Sequence, residues 1–327
     1  MPILVTGGAG YIGNHVVYEL LSAGYEVVVI DNLTTGHSKS ILGVAYHIGD
    51  IKDIPFIRSV FRKHKIETVI HLAADALISE SIKNPLQYYN NNLSGGINLL
   101  RCMVESKIPN IIFASSSTIY GEVTENPISE SYTPSPLNPY GDTKLSFEKL
   151  LEASRIAYGI QYAIFRFFNV AGAHPKGHIG EDHANETHII PNIIHAALNE
   201  KVFHIYGNNY PTKDGTCVRD YIHVVDIAKA HIYALKALKE GHNSFTCNLG
   251  SGVGHSILDV ISEVCTVSCK RILSDRKSNR SGDPSSLIAD CTKAKDILGF
   301  VPSLSDLKTI VSTALNWHST HPKRLFK

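Results

Sequence analysis

A doubly wound, parallel α/β sheet is the fold this sequence predicts, on three observations. Short β-branched runs alternate with stretches of helical period through the first half of the chain, the runs are almost continuously apolar, and the first leads straight into a glycine-rich loop. Such alternation calls for right-handed crossovers between parallel strands, and continuous apolarity is what strands covered on both faces need. The runs are Ile3 to Thr6, Glu26 to Ile30, Ala45 to Gly49, Thr68 to Ala73, Asn110 to Ser115 and Tyr162 to Phe168.

Beyond Phe168 the texture changes. A loop through Ala171 to Gly180 precedes a helix expected near Pro191 to Asn199 and a short strand near Val202 to Tyr206. Val224 to Leu238 reads as a helix and Phe245 to Leu249 as a strand returning to the first sheet. The second, smaller lobe is therefore interleaved with the first rather than joined by one linker. The expected division is 1–168 with about 217–248 in the larger domain, and about 169–216 with 249–327 in the smaller C-terminal lobe. The longest irregular stretch, roughly Lys270 to Ser286, carries Arg280 and Asp283, and long loops of that kind are often functional.

With 327 residues, 43% hydrophobic and 19% charged, the chain can bury a large core. A net charge of +1 gives no broad field for nucleic acid or an anionic membrane, so any anionic ligand must be met locally. No segment reaches about 18 uninterrupted apolar residues and no basic leader opens the chain, which sets the expectation of a cytoplasmic protein with no membrane partner. The six cysteines form no Cys-x-x-Cys pair, which suits free thiols in a reducing compartment. Of the seventeen histidines, His183 and His188 come nearest to a metal spacing but match no ligand motif, and no metal is expected.

Gly7, Gly8, Gly10 and Gly13 follow the first strand and open a helix at about Tyr11. In that context small residues let the backbone approach a pyrophosphate, whose charge meets free amides and a helix dipole, as in Rossmann-type dinucleotide sites. Asp31 ends the second strand about 20 residues on, where a carboxylate binds a ribose diol and repels a 2′-phosphate; NAD rather than NADP is expected. Farther along, Tyr140 and Lys144 stand one helical turn apart, downstream of Ser115-Ser116-Ser117. Residues four apart share a helix face, so the Lys144 ammonium can favour a Tyr140 phenolate, a group whose free pKa is about 10. Tyr-x-x-x-Lys alone also occurs on ordinary amphipathic helices; here its neighbours give it meaning.

Five ordered motifs run almost end to end: Thr6 to Gly13, Ser115 to Gly121, Tyr140 with Lys144, Phe168 to Ala173, and Gly215 to Val224. Together they resemble the extended short-chain dehydrogenase/reductases, and within them the UDP-glucose 4-epimerase branch. The resemblance implies a UDP-sugar substrate, a recycled NAD, and a homodimer pairing through Pro85 to Val104 and Pro139 to Tyr158. It implies catalysis by Ser116, Tyr140 and Lys144. For the cofactor it implies Gly7, Gly10, Tyr11, Ile12, Gly13, Asp31, Asn32, Asp50, Ile51, Leu72, Ala73, Ala74, Asn91, Ser115, Tyr140, Lys144 and Phe167. For the substrate it implies Ser116, Asn169, His188, Ile189, Phe203, Tyr206, Arg219, Arg280, Asp283 and Leu287.

Three positions bear on specificity and rate. Asp142 stands inside the Tyr-Lys turn where a basic or neutral residue is usual, and it is expected to point to solvent. Phe167 replaces a usual tyrosine and loses a hydroxyl. Leu287 matches a position that is aromatic in relatives confined to plain hexoses and small in those accepting N-acetylhexosamines, which leaves UDP-N-acetylglucosamine open. Among rivals, a 4,6-dehydratase needs an added acid and base where this chain has Ser117 and Thr118. A UDP-pentose or UDP-uronate 4-epimerase stays open, and a non-catalytic NAD-binding regulator would not need Ser116, Tyr140 and Lys144 together.

Overall fold

The computed structural model describes residues 1–37, 43–278 and 284–321. Strands β1 (Ile3–Thr6), β2 (Val27–Asp31), β3 (Ala45–Ile48), β4 (Thr68–His71), β5 (Asn110–Ser116) and β6 (Gln161–Phe167) lie where the apolar runs predict them. Helices α1 (Tyr11–Ser22), α2 (Ile54–Lys63), α3 (Ile78–Lys83), α4 (Pro85–Tyr88), α5 (Gly95–Glu105) and α6 (Pro139–Tyr158) connect them. A π-helical turn, Tyr89–Ser94, fuses α4 to α5. The second half contributes β7 (Asn169–Ala171), α7 (Ile189–Leu198), β8 (Val202–Tyr206), β9 (Val218–His223), α8 (Val224–Lys239) and β10 (Phe245–Leu249). It closes with β11 (Gly254–Ser256), α9 (Ile257–Ser268), β12 (Leu273–Lys277), β13 (Ser286–Leu287), α10 (Thr292–Leu298) and α11 (Leu307–Thr320).

The main sheet is fully parallel, in the order β10-β6-β5-β4-β1-β2-β3. Strand order reverses between β1 and β4, and ligands of open α/β sheets bind in the crevice at such a point. Strand alternation supplies two cores: Val5, Val29, Ile112 and Phe165 face α1 and α8 on one side, while Leu4, Val28, Ile111 and Ile164 face α2, α5 and α6 on the other. As expected, β10 returns to this sheet beside β6.

Smaller sheets gather near the carboxyl ends of these strands. β9 is flanked by β7, β11 and β13, and β8 pairs in parallel with β12. The stretch Lys270 to Ser286, expected to be irregular, thus contains a strand; Arg280 and Asp283 lie outside the described residues. Asp220, fully buried on β9, holds the turn after β10 and the chain after β13 by accepting from the amides of Ser251 (2.7 Å), Gly252 (3.0 Å) and Ala289 (3.0 Å).

Candidate functional site

The glycine loop is shaped by contacts that no side chain could share. Gly7 adopts a φ of +72°, and a Cβ there would stand 2.7 Å from the amide nitrogen of Ala73. A Cβ on Gly13 would stand 2.0 Å from the Gly7 carbonyl oxygen, so α1 packs against the loop only because this residue has none. Gly10 caps α1 with extended backbone and no side-chain hydrogen bond, leaving the first amides of Tyr11, Ile12 and Gly13 uncapped by any side chain. That is a cradle for an anion at the crevice, with Leu72, Ala73 and Ala74 running along its other wall.

Asp31 closes the cradle. One carboxylate oxygen accepts from the Ala9 amide (2.9 Å) and the other from the Leu33 amide (2.8 Å), and each retains a lone pair for a diol. Asn32 donates to Asp50 (3.1 Å), which fixes the turn after β3 beside it. The donor set therefore fits a dinucleotide without a 2′-phosphate. Ile51 and Phe167 stand differently from the rest: both side chains are core residues, Ile51 against Gly95 and Phe167 edge-on to His231 beneath the sheet. Strand alternation aims Phe167 at α8, so the hydroxyl it lacks lies on the core side. Ser115 likewise turns its hydroxyl inward, donating to Glu148 (2.5 Å).

Tyr140 and Lys144 sit on the first turns of α6, a helix begun by Asn138, whose side chain accepts from the Gly141 amide (2.9 Å), and by Pro139 at its first position. Burial pushes the Tyr140 phenol above the usual tyrosine range, and the neighbouring Ser116 hydroxyl draws it down. Ser116 itself accepts from the Thr118 hydroxyl (2.9 Å), so its own proton is directed elsewhere. Lys144, only 4% exposed, donates to the Ala114 carbonyl (2.7 Å), and its nitrogen lies 5.8 Å from the centre of the Tyr140 ring. Burial pulls the ammonium down to about 7, with Glu148 opposing. Lysine at this position is thus poised to titrate near neutrality.

Asp142 departs from the expectation of a solvent-facing carboxylate. It accepts a hydrogen bond from Tyr89 of the π-helical turn, and so does not compete for Lys144. Asn92, not Asn91, is the buried residue of that turn: it accepts from the Asp75 amide (2.8 Å) and donates to the Asp75 carbonyl (2.9 Å) and to the Thr143 hydroxyl (3.3 Å), joining the segment after β4 to α6. Sequence reading also missed the buried pair Glu148–Arg166 behind Lys144 (2.7 Å), since nothing local signals which charges meet across a sheet.

Of the residues expected to meet the substrate, Asn169, Phe203, Tyr206, Arg219 and Leu287 fall on the smaller sheets. Asn169 on β7 registers with Tyr221, and Leu287 on β13 registers with Arg219, whose guanidinium donates to the Val218 carbonyl (2.8 Å). Leu287 is buried against Ile119, Tyr120, Ile128 and Phe168. Phe203 and Tyr206 lie on β8. His188 caps α7 and Ile189 begins it, but the His188 imidazole faces Glu181 and Glu186.

Comparison with known proteins accords with this geometry. Residues 3–250 match the NAD dependent epimerase/dehydratase family. A UDP-glucose 4-epimerase of Lacticaseibacillus casei is 48% identical over 325 residues, covering 99% of this chain and 98% of that one. A solved UDP-glucose 4-epimerase superposes with a TM-score of 0.97 at 45% identity, over 100% of both chains. The Bifidobacterium longum UDP-glucose 4-epimerase, solved in complex with NAD+ and UDP, superposes with a TM-score of 0.94 at 35% identity, over 99% of this chain and 100% of that one. A parallel sheet with a glycine cradle at its switch point, a Ser-Tyr-Lys group across the crevice, and identity over the full length together make this chain a member of the NAD dependent epimerase/dehydratase family, among its UDP-glucose 4-epimerases.

Proposed function

We infer that this chain interconverts UDP-glucose and UDP-galactose by NAD-dependent 4-epimerisation through a 4-keto sugar. The observation that carries the reading is the half-buried Tyr140 phenol drawn on by the neighbouring Ser116 hydroxyl one turn from Lys144, in a chain similar end to end to UDP-glucose 4-epimerases. When bound, the dinucleotide supplies an oxidised nicotinamide that can take the C4 hydride and return it. Gly7 to Gly13, Asp31 and Leu72 to Ala74 are the residues to hold it. Tyr140, as phenolate, takes the C4 hydroxyl proton and gives it back once the keto sugar has turned about its diphosphate link. Ser116 hydrogen-bonds the reacting oxygen. Lys144, protonated, favours the phenolate and holds the nicotinamide ribose.

Asn169, Arg219 and Arg280 are assigned to the diphosphate, whose oxygens suit guanidinium forks, and Asp283 is assigned to the uridine ribose. The β8 backbone from Phe203 to Tyr206 takes the uracil, and His188 with Ile189 edges the pocket. Leu287, intermediate in size, extends the substrate range to UDP-N-acetylglucosamine. Pairing of two chains is supported by Leu86 and Ile97 on the segment from α4 to α5 and by Ile156 and Tyr158 on α6, all exposed apolar side chains. The six unpaired cysteines suit a cytoplasmic setting, and among the described residues no helix is long and apolar enough to cross a membrane. Division into a dinucleotide domain, 1–168 with about 217–248, and a nucleotide-sugar lobe completes the reading. Incubation with UDP-galactose and no added NAD tests it: UDP-glucose should form, and its absence from a protein that retains cofactor would refute epimerisation.

A further inference from the structure

We propose that Glu181, His183, Glu186 and His188 form a binding site for a divalent transition metal, with zinc the best match. One donor atom from each residue lies within 4.8 Å of every other. His188 Nδ1 stands 2.6 Å from Glu181 Oε1 and 3.1 Å from Glu186 Oε1; His183 Nδ1 stands 3.3 Å from Glu181 Oε1 and 3.4 Å from Glu186 Oε2. Donors about 2.0–2.2 Å from a tetrahedral centre stand roughly 3.3–3.6 Å apart, so four such atoms can surround one ion with small side-chain adjustments.

The carboxylates carry the second observation. Glu181 is 3% exposed, yet its Oε1, which both imidazoles face, has no aligned hydrogen bond to either, and Glu186 Oε2 is likewise buried without one. Buried carboxylate oxygens require compensation, and these are aimed into the cluster. The other oxygen of Glu186 is already used by the amides of Thr187 (2.8 Å) and His188 (2.7 Å), which leaves Oε2 for the centre. Around the cluster the support is built. The Glu181 carbonyl accepts from the Trp317 indole (2.8 Å), and the His183 ring lies edge-on to Tyr11. Outer contacts of this kind orient first-sphere ligands.

Charge and donor type select the ion. Two carboxylates beside two neutral imidazoles leave two negative charges, which one divalent cation cancels; the competing arrangement puts a proton on each imidazole instead. Two nitrogens with two oxygens suit zinc and neighbouring first-row ions, not calcium, which takes oxygen throughout, nor ions that need thiolate. Four ligands from the chain fill a tetrahedral sphere, so the role is structural. The ion fastens the segment before α7 between Trp317 of α11 and Tyr11 of the glycine loop, linking the two lobes at the crevice. Nothing in this depends on the sugar turned over.

The test uses full-length protein freed of any affinity tag. After chelator treatment, zinc is titrated in competition with a chromophoric chelator, and the melting temperature is read with and without the metal. One zinc per chain with a raised melting temperature is expected, and His183→Ala or Glu186→Gln should each weaken zinc binding by at least about 10–100-fold, the loss already seen for outer-sphere partners. Wild type that takes up no stoichiometric zinc overturns the proposal, whatever the variants do. So does undiminished affinity in a folded His183→Ala protein, with circular dichroism confirming the fold.

Discussion

Replacing Glu148 by glutamine removes the negative charge that stands behind Lys144, and the structure fixes what that should cost. Glu148 and Arg166 are both buried, joined at 2.7 Å and 3.2 Å, with the Ser115 hydroxyl on the same carboxylate at 2.5 Å. Breaking a buried pair by removing one partner strands the other charge and costs about 3–5 kcal/mol. An unfolding entropy of about 2.1 cal/mol/K per residue over 327 residues makes roughly 0.7 kcal/mol per degree, so the melting temperature should fall by about 4–7 °C. Glu148 also opposes the burial that holds Lys144 down at about 7, so in Glu148→Gln the lysine loses its proton at lower pH. The alkaline limb of the epimerase pH profile should move down with it. Adding Arg166→Met removes the stranded charge and should recover stability without restoring that limb. Calorimetry and pH–rate profiles on the three proteins read both effects. A melting temperature within about 1 °C of wild type in Glu148→Gln would refute the reasoning.

Gly13→Ala places a methyl 2.0 Å from the Gly7 carbonyl; overpacking of about 1–3 kcal/mol with loss of bound cofactor is expected, checked by calorimetry and by the cofactor retained after gel filtration. His15 and His71 are held down to about 3, and His223 and His231 to about 4, in each case mainly by burial. In the unfolded chain they titrate near 6.5, so below that pH the unfolded state binds more protons. Stability is full above about 6.5 and falls as pH drops toward 4, by up to about 1.4 kcal/mol per pH unit for each; a melting temperature flat from pH 6.5 to 4.5 would contradict this. Leu287→Tyr adds an aromatic ring among Ile119, Tyr120 and Phe168. Wild type should turn over UDP-N-acetylglucosamine as well as UDP-glucose, the variant UDP-glucose alone, and no acetylated turnover by wild type would end the idea.

The main sheet was legible because most of its strands are buried on both faces and read as apolar runs, β10 beyond the first half among them; β8, largely exposed in a two-stranded ribbon, was found from its β-branched and aromatic residues instead. β12 did not, since Leu273 to Lys277 is a mostly polar, exposed strand in a two-stranded ribbon. β7, β11 and β13 are two or three residues long, too short for any periodicity. In the site, the glycine loop, Asp31 and the Tyr-Lys turn could be found because their chemistry is local in sequence. What escaped was pairing over distance: Tyr89 on Asp142, Glu148 on Arg166, and Asp220 on the amides of Ser251, Gly252 and Ala289. The Glu181 to His188 cluster escaped for a different reason. Its donors alternate along an irregular loop whose course no helical or strand period reveals, so only folding shows that they converge.

The account rests on Tyr140 exchanging a proton with the sugar C4 oxygen, and a crystal structure of the Ser116→Ala protein with UDP-glucose and NAD measures that contact directly. The phenol oxygen should lie within about 2.6–3.2 Å of the C4 oxygen, with the Lys144 nitrogen on the nicotinamide ribose. A sugar bound in the crevice with its C4 oxygen several ångströms from Tyr140, and nearer another titratable group, would contradict it.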